Sequence, residues 1–295
     1  MALAACGGPP APQPEFDAAV ALARIEAQVA FGPRIPGTAG HVAMAGWLDS
    51  LARMGSDSVV VQRWTHLSVD GDSLPMVNVI ARFNPAARDR LLYLAHWDTR
   101  PSADSPTSSD PSAPVPGAND GGSGVAVLLG VMDALRRSPL PADAGVDLLF
   151  VDGEDYGAFG PPPVDVLIGS SYYAGNALPP ARPDFAVLWD MVGGRDARFK
   201  KEQYSMIAAP DVVARVWRVA EQMGYGSVFM DADLGAITDD HVPLINAGIR
   251  AIDVIGWGDP HWHTPDDTPD KISTETLAAA GNVAIGVIRL WVAER

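Results

Sequence analysis

Residues 148–157, LLFVDGEDYG, run from an apolar stretch straight into two adjacent carboxylates, Glu154 and Asp155. The apolar part, Val146 to Val151, reads as a strand, and the acids fall at its end. Three other clusters of acids or imidazoles surround this stretch in the sequence: His96-Trp97-Asp98, Gly117-Ala118-Asn119-Asp120 and Trp262-His263. Carboxylates and imidazoles at the ends of separate strands, with one carboxylate beside a second that can act as a base, are the components of a zinc site with a general acid/base. The pattern therefore points to metal chemistry.

Working outward, strands and helices alternate. Helices are predicted over residues 16–30, 38–54, 121–137, 211–223 and 273–292, and strands over 58–64, 76–83, 91–94, 146–151, 185–189 and 249–255. This order implies a three-layer α/β/α fold around a central mixed, mostly parallel sheet covered on both faces. In open sheets of this kind ligands bind at the carboxyl ends of the strands. Each acid or imidazole cluster lies at such an end or in the loop after it. Asp120 immediately precedes a helix, where free amides and the helix dipole favour an ionised carboxylate. No repeat or composition shift marks a second domain, so residues 15–295 are expected to form one catalytic domain behind an N-terminal tether, residues 1–14.

Composition narrows the class. A chain of 295 residues that is 47% hydrophobic can bury a sizeable core. A net charge of −15 and the lack of any basic run argue against nucleic-acid binding. No transmembrane helix is expected, because no apolar run approaches the roughly 20 residues that span a bilayer. The single cysteine, Cys6, rules out an internal disulfide or a thiolate cluster. Leu3-Ala4-Ala5-Cys6 followed by Gly7-Gly8 looks like the cleavage box of a bacterial lipoprotein, although the charged and apolar regions that should precede it are absent. On that reading Cys6 carries a lipid anchor and the protein works in the periplasm or at a membrane surface.

Each candidate also has an ordinary reading. His96 and Asp98 could simply end a strand, Asp120 could cap a helix and Glu154-Asp155 could be a solvated turn. His263 lies in PHWHTPDD, a typical loop composition, and His41 and His66, without acids nearby in sequence, read as surface histidines. Asp190 is different: it follows the apolar run from Phe185 to Trp189, and a buried carboxylate needs a cation or hydrogen-bond donor facing it. The joint occurrence of these residues at strand ends outweighs the ordinary readings of each.

From Phe31 to Thr268 the chain reads FGPRIPGT, NVIARF, HWDT, PGANDGGSGVAVLL, LLFVDGEDYG, LWDMVGG, DDHVPLINAG and WHTPDDT. In this order the motifs resemble the M28 family of zinc peptidases, and within it the bacterial branch of the glutaminyl cyclases (glutaminyl-peptide cyclotransferases). The resemblance implies a zinc-aminopeptidase-like fold, one zinc ion held by Asp120, Asp155 and His263, and Glu154 as proton-shuttling acid/base. It implies Asp190 and Asp240 as hydrogen-bonding acids around the reacting substrate, with Trp262 and Trp257 binding it. The substrates implied are peptide or protein N-termini carrying Gln. Asp155 stands where many relatives have Glu, which leaves open an exchange of roles between Glu154 and Asp155.

An aminopeptidase of the same family would use two metal ions, with Asp120 bridging, His96 and Asp190 holding the second ion and Asp98 in support. Ligand inventory does not separate the two activities. The long segment from Tyr156 to Ile168, containing Gly160-Pro161-Pro162-Pro163, and the pairing of DDHVP with Trp262-His263 resemble the cyclases more than the peptidases. A binding protein on a degenerate peptidase scaffold is a third reading, but it would be expected to have lost ligands, and this chain keeps every one.

Overall fold

The computed structural model describes residues 14–180 and 182–295. Cys6 and most of the expected tether lie outside the described residues. Among the described residues eight α-helices and eight strands are formed: α1 (Ala18–Ala30), α2 (Ala39–Gly55), β1 (Ser58–Leu67), β2 (Ser73–Phe83), β3 (Asp89–His96), α3 (Gly122–Arg137), β4 (Ala144–Val151), α4 (Ile168–Gly175), β5 (Phe185–Asp190), β6 (Phe199–Lys201), α5 (Gln203–Ala208), α6 (Pro210–Gln222), β7 (Phe229–Asp233), α7 (His241–Asn246), β8 (Ala251–Ile255) and α8 (Thr274–Ala293). Helix starts follow local capping. The Asp17 carboxylate accepts the amides of Ala19 and Val20, Thr38 Oγ1 accepts that of His41, and Ser273 Oγ accepts that of Thr276.

Six strands form one sheet in the order β1-β2-β4-β3-β5-β8. The β1–β2 and β2–β4 pairs are antiparallel, whereas β4–β3, β3–β5 and β5–β8 are parallel. Period-two alternation sends Leu91, Tyr93 and Ala95 of β3 to one face, with side chains of α1, α2, α3, α6 and α8. Leu92 and Leu94 face the other way, toward Tyr173 of α4 and Leu244 of α7. The result is the expected three-layer arrangement. Shorter elements escaped the sequence reading: α4, α5 and α7, and the small β6–β7 ladder, which pairs in parallel apart from the main sheet.

α8 is one helix long and apolar enough to cross a membrane by composition, contrary to the sequence count, but 78% of its most apolar window is buried in the core. It packs against α1, α3 and α6. Of the two histidines read as surface residues, His41 is buried, while His66 stays partly exposed but has an acidic partner. His41 is 2% exposed, its Nε2 lies 2.9 Å from Asp152 Oδ2, and its ring packs on Trp97. His66 Nε2 lies 2.7 Å from Asp165 Oδ1. The partners are 111 and 99 residues away, so local sequence carries no sign of them.

One buried charge cluster ties three strands together. Asp147 of β4 accepts from Arg82 Nε of β2 (3.0 Å) and from Arg90 Nε and Nη2 of β3 (3.0 and 2.6 Å). Arg90 fits because residue 145 is glycine: a Cβ there would lie 2.3 Å from Arg90 Nη1. Replacing Asp147 with Ala strands two buried guanidinium groups. The variant is expected to lose about 3–5 kcal/mol of stability, measured by urea unfolding.

Candidate active site

The carboxyl ends of the parallel strands form a rim. β3 ends at His96, β4 runs into Asp152-Gly153-Glu154-Asp155, β5 ends at Asp190, and the loop after β8 carries Trp257, Trp262 and His263. Register sets these ends side by side, His96 opposite Val151 and Asp190 opposite Ile255. Asp120 arrives just before α3. Gly153 makes the turn out of β4 at φ +69, and a Cβ there would lie 2.1 Å from Met76 Cε. Glycine therefore lets the chain turn tightly enough to present Glu154 and Asp155 at the rim.

Buried polar groups fix the backbone of these loops. The Asp98 carboxylate accepts the amides of Glu154 and Asp155, each at 3.1 Å. The Asp267 carboxylate accepts those of Asn119 (2.8 Å) and Asp120 (3.1 Å). Arg34, fully buried, donates from Nε to Trp97 O (3.1 Å), from Nη1 to Pro116 O (2.5 Å) and from Nη2 to Gly117 O (2.7 Å). Burial pulls Arg34 down to about 10, against the opposing pull of Asp267, Asp98 and Asp120. Asp98 thus supports the Glu154–Asp155 backbone, with its nearer oxygen 3.6 Å from His96 Nδ1.

Two sets of ligand-type atoms come together, each within 4.8 Å: Asp120, Asp155 and His263, and His96, Asp120 and Asp190. In the first set, His263 Nδ1 lies 2.7 Å from Asp104 Oδ1, which turns Nε2 inward. Two ligand atoms on a tetrahedral zinc ion, each about 2.0–2.1 Å from it, lie roughly 3.3–3.4 Å apart. His263 Nε2 stands 3.3 Å from Asp155 Oδ1 and 3.7 Å from Asp120 Oδ2, so this donor set fits such an ion. His263 holds φ +54, an uncommon conformation for a residue with a side chain, and Met191, next to Asp190, holds φ +47. Arg100 ties the surroundings together: its Nε donates to Asp104 Oδ1 (2.8 Å) and its Nη1 to Asp155 Oδ1 (2.9 Å).

The second set is closed by hydrogen bonding. His96 Nε2 lies 3.0 Å from Asp120 Oδ1 and 3.1 Å from Asp190 Oδ1. Burial opposes protonation of His96, but the adjacent carboxylates of Asp120, Asp190 and Asp98 together hold it well above the usual imidazole range. Asp120 is also buried, yet the His96 bond and charge bring it below the ordinary carboxylate value. Burial raises Glu154, Asp155 and Asp190.

Above these groups lies a cavity of about 250 Å³ whose floor is Glu154, Asp155 and Asp190 and whose walls include Asp239, Phe159, Trp257 and Trp262. Trp262 stacks on His263, with ring centroids 3.8 Å apart. Glu154 stands outside both ligand sets, on the cavity floor. Asp240 does not reach the cavity. It is fully buried behind it, accepting from Ser170 Oγ at 2.5 Å, while its neighbour Asp239 lines the wall. Burial and the Asp190 charge push Asp239 up to about 7, and burial and the Asp239 charge push Asp240 up to about 8.

Sequence reading missed Asp239, Arg34, Arg100, Asp104, Asp267, Phe159 and Glu202. The Glu202 carboxylate accepts the amides of Tyr204, Ser205 and Ile237, and His241 Nε2 lies 3.2 Å from it. Burial opposes its charge, but these bonds bring Glu202 down to about 2 and fix the Ile237–Asp239 wall. The Asp239-Asp240 doublet was the one available signal. Which of the two faces the cavity depends on the turn into α7, which composition does not encode.

Residues 78–288 match peptidase family M28. Over 214 residues, 68% of the chain, the sequence is 28% identical to aminopeptidase YwaD of Bacillus subtilis, of whose length it spans 40%. Among solved structures, Porphyromonas gingivalis glutaminyl cyclase is 39% identical, with 95% of this chain and 100% of that one covered at a TM-score of 0.89. A leucine aminopeptidase precursor from Bacteroides thetaiotaomicron is 37% identical, with 94% and 98% covered, also at 0.89. With the strand-end acids and imidazoles gathered at one rim of a three-layer sheet, and the match running from β2 into α8, the chain belongs to peptidase family M28.

Proposed function

We propose that this chain is a zinc-dependent glutaminyl-peptide cyclotransferase, closing the N-terminal glutamine of peptides or proteins to pyroglutamate with release of ammonia. The comparisons include cyclases and aminopeptidases at similar identity, so the reading rests on geometry. The observation that carries it is Phe159. Ala158 and Val164 pair across the Gly160–Pro163 turn, and the hairpin so formed brings Phe159 to the cavity wall with Trp257 and Trp262. Three aromatic rings around about 250 Å³ suit a single side chain folded back on its own amine.

Cyclisation forms a bond between the α-nitrogen and the carbonyl carbon of the side-chain amide, Cδ, and breaks the bond from that carbon to the amide nitrogen. Glu154, raised by burial, takes a proton from the α-amine and returns one to the departing nitrogen, which leaves as ammonia. A zinc ion held by Asp120, Asp155 and His263 would supply Lewis-acid polarisation of the γ-carbonyl. Asp190 and Asp239 face the cavity as hydrogen-bond partners for the substrate nitrogens, and Trp262, fixed by its stacking on His263, sets the plane against which the side chain lies. The aminopeptidase reading is favoured by one observation, the His96, Asp120 and Asp190 set, which could take a second ion. The bond from His96 to Asp190 and its 3.0 Å contact with Asp120 support the one-ion reading, because the imidazolium itself supplies the balancing charge.

A Gln-initiated peptide and a Leu-initiated peptide, followed together for ammonia and product mass, test the activity. Ammonia with a cyclised, otherwise intact Gln peptide is expected; free leucine or glutamine would establish the peptidase instead. Glu154→Gln should lower kcat about 10²–10⁴-fold while zinc content by metal analysis stays at the native level. A base must be ionised to act, so activity should fall on acidification at a pH above the ordinary carboxylate range, where the raised Glu154 takes up its proton. A near-native rate in the variant would remove Glu154 from the mechanism. Asp239→Asn should reduce kcat more than Asp240→Asn, since only Asp239 reaches the cavity; the reverse order in steady-state kinetics would restore Asp240 to the substrate.

A further inference from the structure

The chain carries a net charge of −15 and only three lysines, Lys200, Lys201 and Lys271. Lys200 and Lys201 follow Arg195 and Arg198 in the segment just beyond the end of β5, and the Lys271 carbonyl accepts the Arg195 amide. Arg195, Arg198 and Lys200 line a groove of about 360 Å³ whose opposite wall is the loop from Gly256 to Pro260. Trp257 belongs both to this groove and to the catalytic cavity, so the two spaces share a wall. It is 44% exposed, an unusual position for an indole.

Local structure explains why the cations project here. Phe199 begins β6, is fully buried and packs edge-on against Phe229. Its inward direction sends the flanking Arg198 and Lys200 side chains the other way. Lys201 pairs with Asp231 and Lys271 with Asp270. Among the described residues Arg195, Arg198 and Lys200 form no ion pair; Arg195 Nη2 donates to Asp270 O and Arg198 Nη1 to Ala197 O. Of the two acids in the groove, Asp259 is engaged by Asn119 Nδ2 and His261, while Asp196 is exposed. Three cations without acidic partners, in an acidic protein and beside the site's mouth, form a local attraction that the overall charge opposes elsewhere.

We propose that this groove is a subsite for acidic side chains in the first few residues after the N-terminal residue of a peptide substrate. The inference rests on the reading that the cavity takes peptide N-termini. With the first residue in the cavity, the rest of the peptide leaves past Trp257, and aspartate or glutamate side chains there meet Arg195, Arg198 and Lys200.

The test compares the amidated peptides Gln-Ala-Asp-Asp-Glu-Ala and Gln-Ala-Asn-Asn-Gln-Ala with the zinc-loaded protein, recording ammonia and free amino acid together. KM for the acidic peptide should be about three- to tenfold lower at low ionic strength with kcat unchanged, and the difference should fade in about 0.5 M salt. In the double variant Arg198→Glu, Lys200→Glu the preference should reverse. The double variant Arg53→Glu, Arg136→Glu changes net charge equally at the far end of α2 and α3 and should keep it. Equal KM values for the two peptides, or a preference that survives in the Arg198/Lys200 variant, overturn the subsite. If free glutamine appears in place of ammonia but the acidic preference holds, the cyclase reading fails and the subsite stands. If neither product appears, fluorescence anisotropy with dye-labelled versions of both peptides decides on the same pattern of affinities.

Discussion

Burying many carboxylates at one end of a sheet is the constraint on which the rest of this structure depends. Asp98, Asp120, Glu154, Asp155, Asp190, Asp239, Asp240 and Asp267 are all buried around the same rim. An unpaired buried charge is costly, so each must be bonded, protonated or matched by a cation. The fold uses all three solutions. Asp98 and Asp267 spend their oxygens on backbone amides, His96 and Arg100 supply positive charge, and Asp239 and Asp240 are raised until they hold protons near neutrality. A divalent ion between Asp120, Asp155 and His263 would relieve the remaining repulsion, in which the Asp120 charge raises Asp155.

These solutions also give the site its rigidity. Groups that neutralise charge simultaneously hold loops: Arg34 joins the chain after β3 to the turn before Asp120, and Asp98 joins that same strand end to Glu154. Arg100 links Asp155 to Asp104, which in turn orients His263. Position and electrostatics therefore cannot be varied separately, and the left-handed backbone at His263 persists because its neighbours over-determine it.

The layered fold was legible because long elements announce themselves by periodicity. The β4 and β5 runs, and α3 and α8, fall close to the residues that alternation and helical spacing indicate. Residues at strand ends could be placed on one rim for the same reason, since parallel strands deliver their carboxyl ends together. What stayed hidden were contacts between residues distant in sequence. His41 looked like a surface residue because its partner Asp152 is 111 positions away, and Arg34 showed no sign of lying at the centre of the loop network. Asp239 and Asp240 could not be told apart because their directions depend on a turn whose shape is set by Glu202, which binds the Ile237 amide from another element. Short elements such as α5 and α7, six residues each, are too brief for a period to register.

The Ala158–Val164 hairpin has three consecutive prolines at its tip, at positions 161 to 163. Proline has few conformations to lose, so a wall built this way gives up little entropy when a ligand arrives. Phe159, at its base, is in addition backed by the Arg100 guanidinium, 5.8 Å from the ring centre. The aromatic wall is therefore a surface already in place before binding. Because the two ends of the hairpin meet in one backbone bridge, a change at its tip reshapes the entrance and leaves the charged floor beneath untouched.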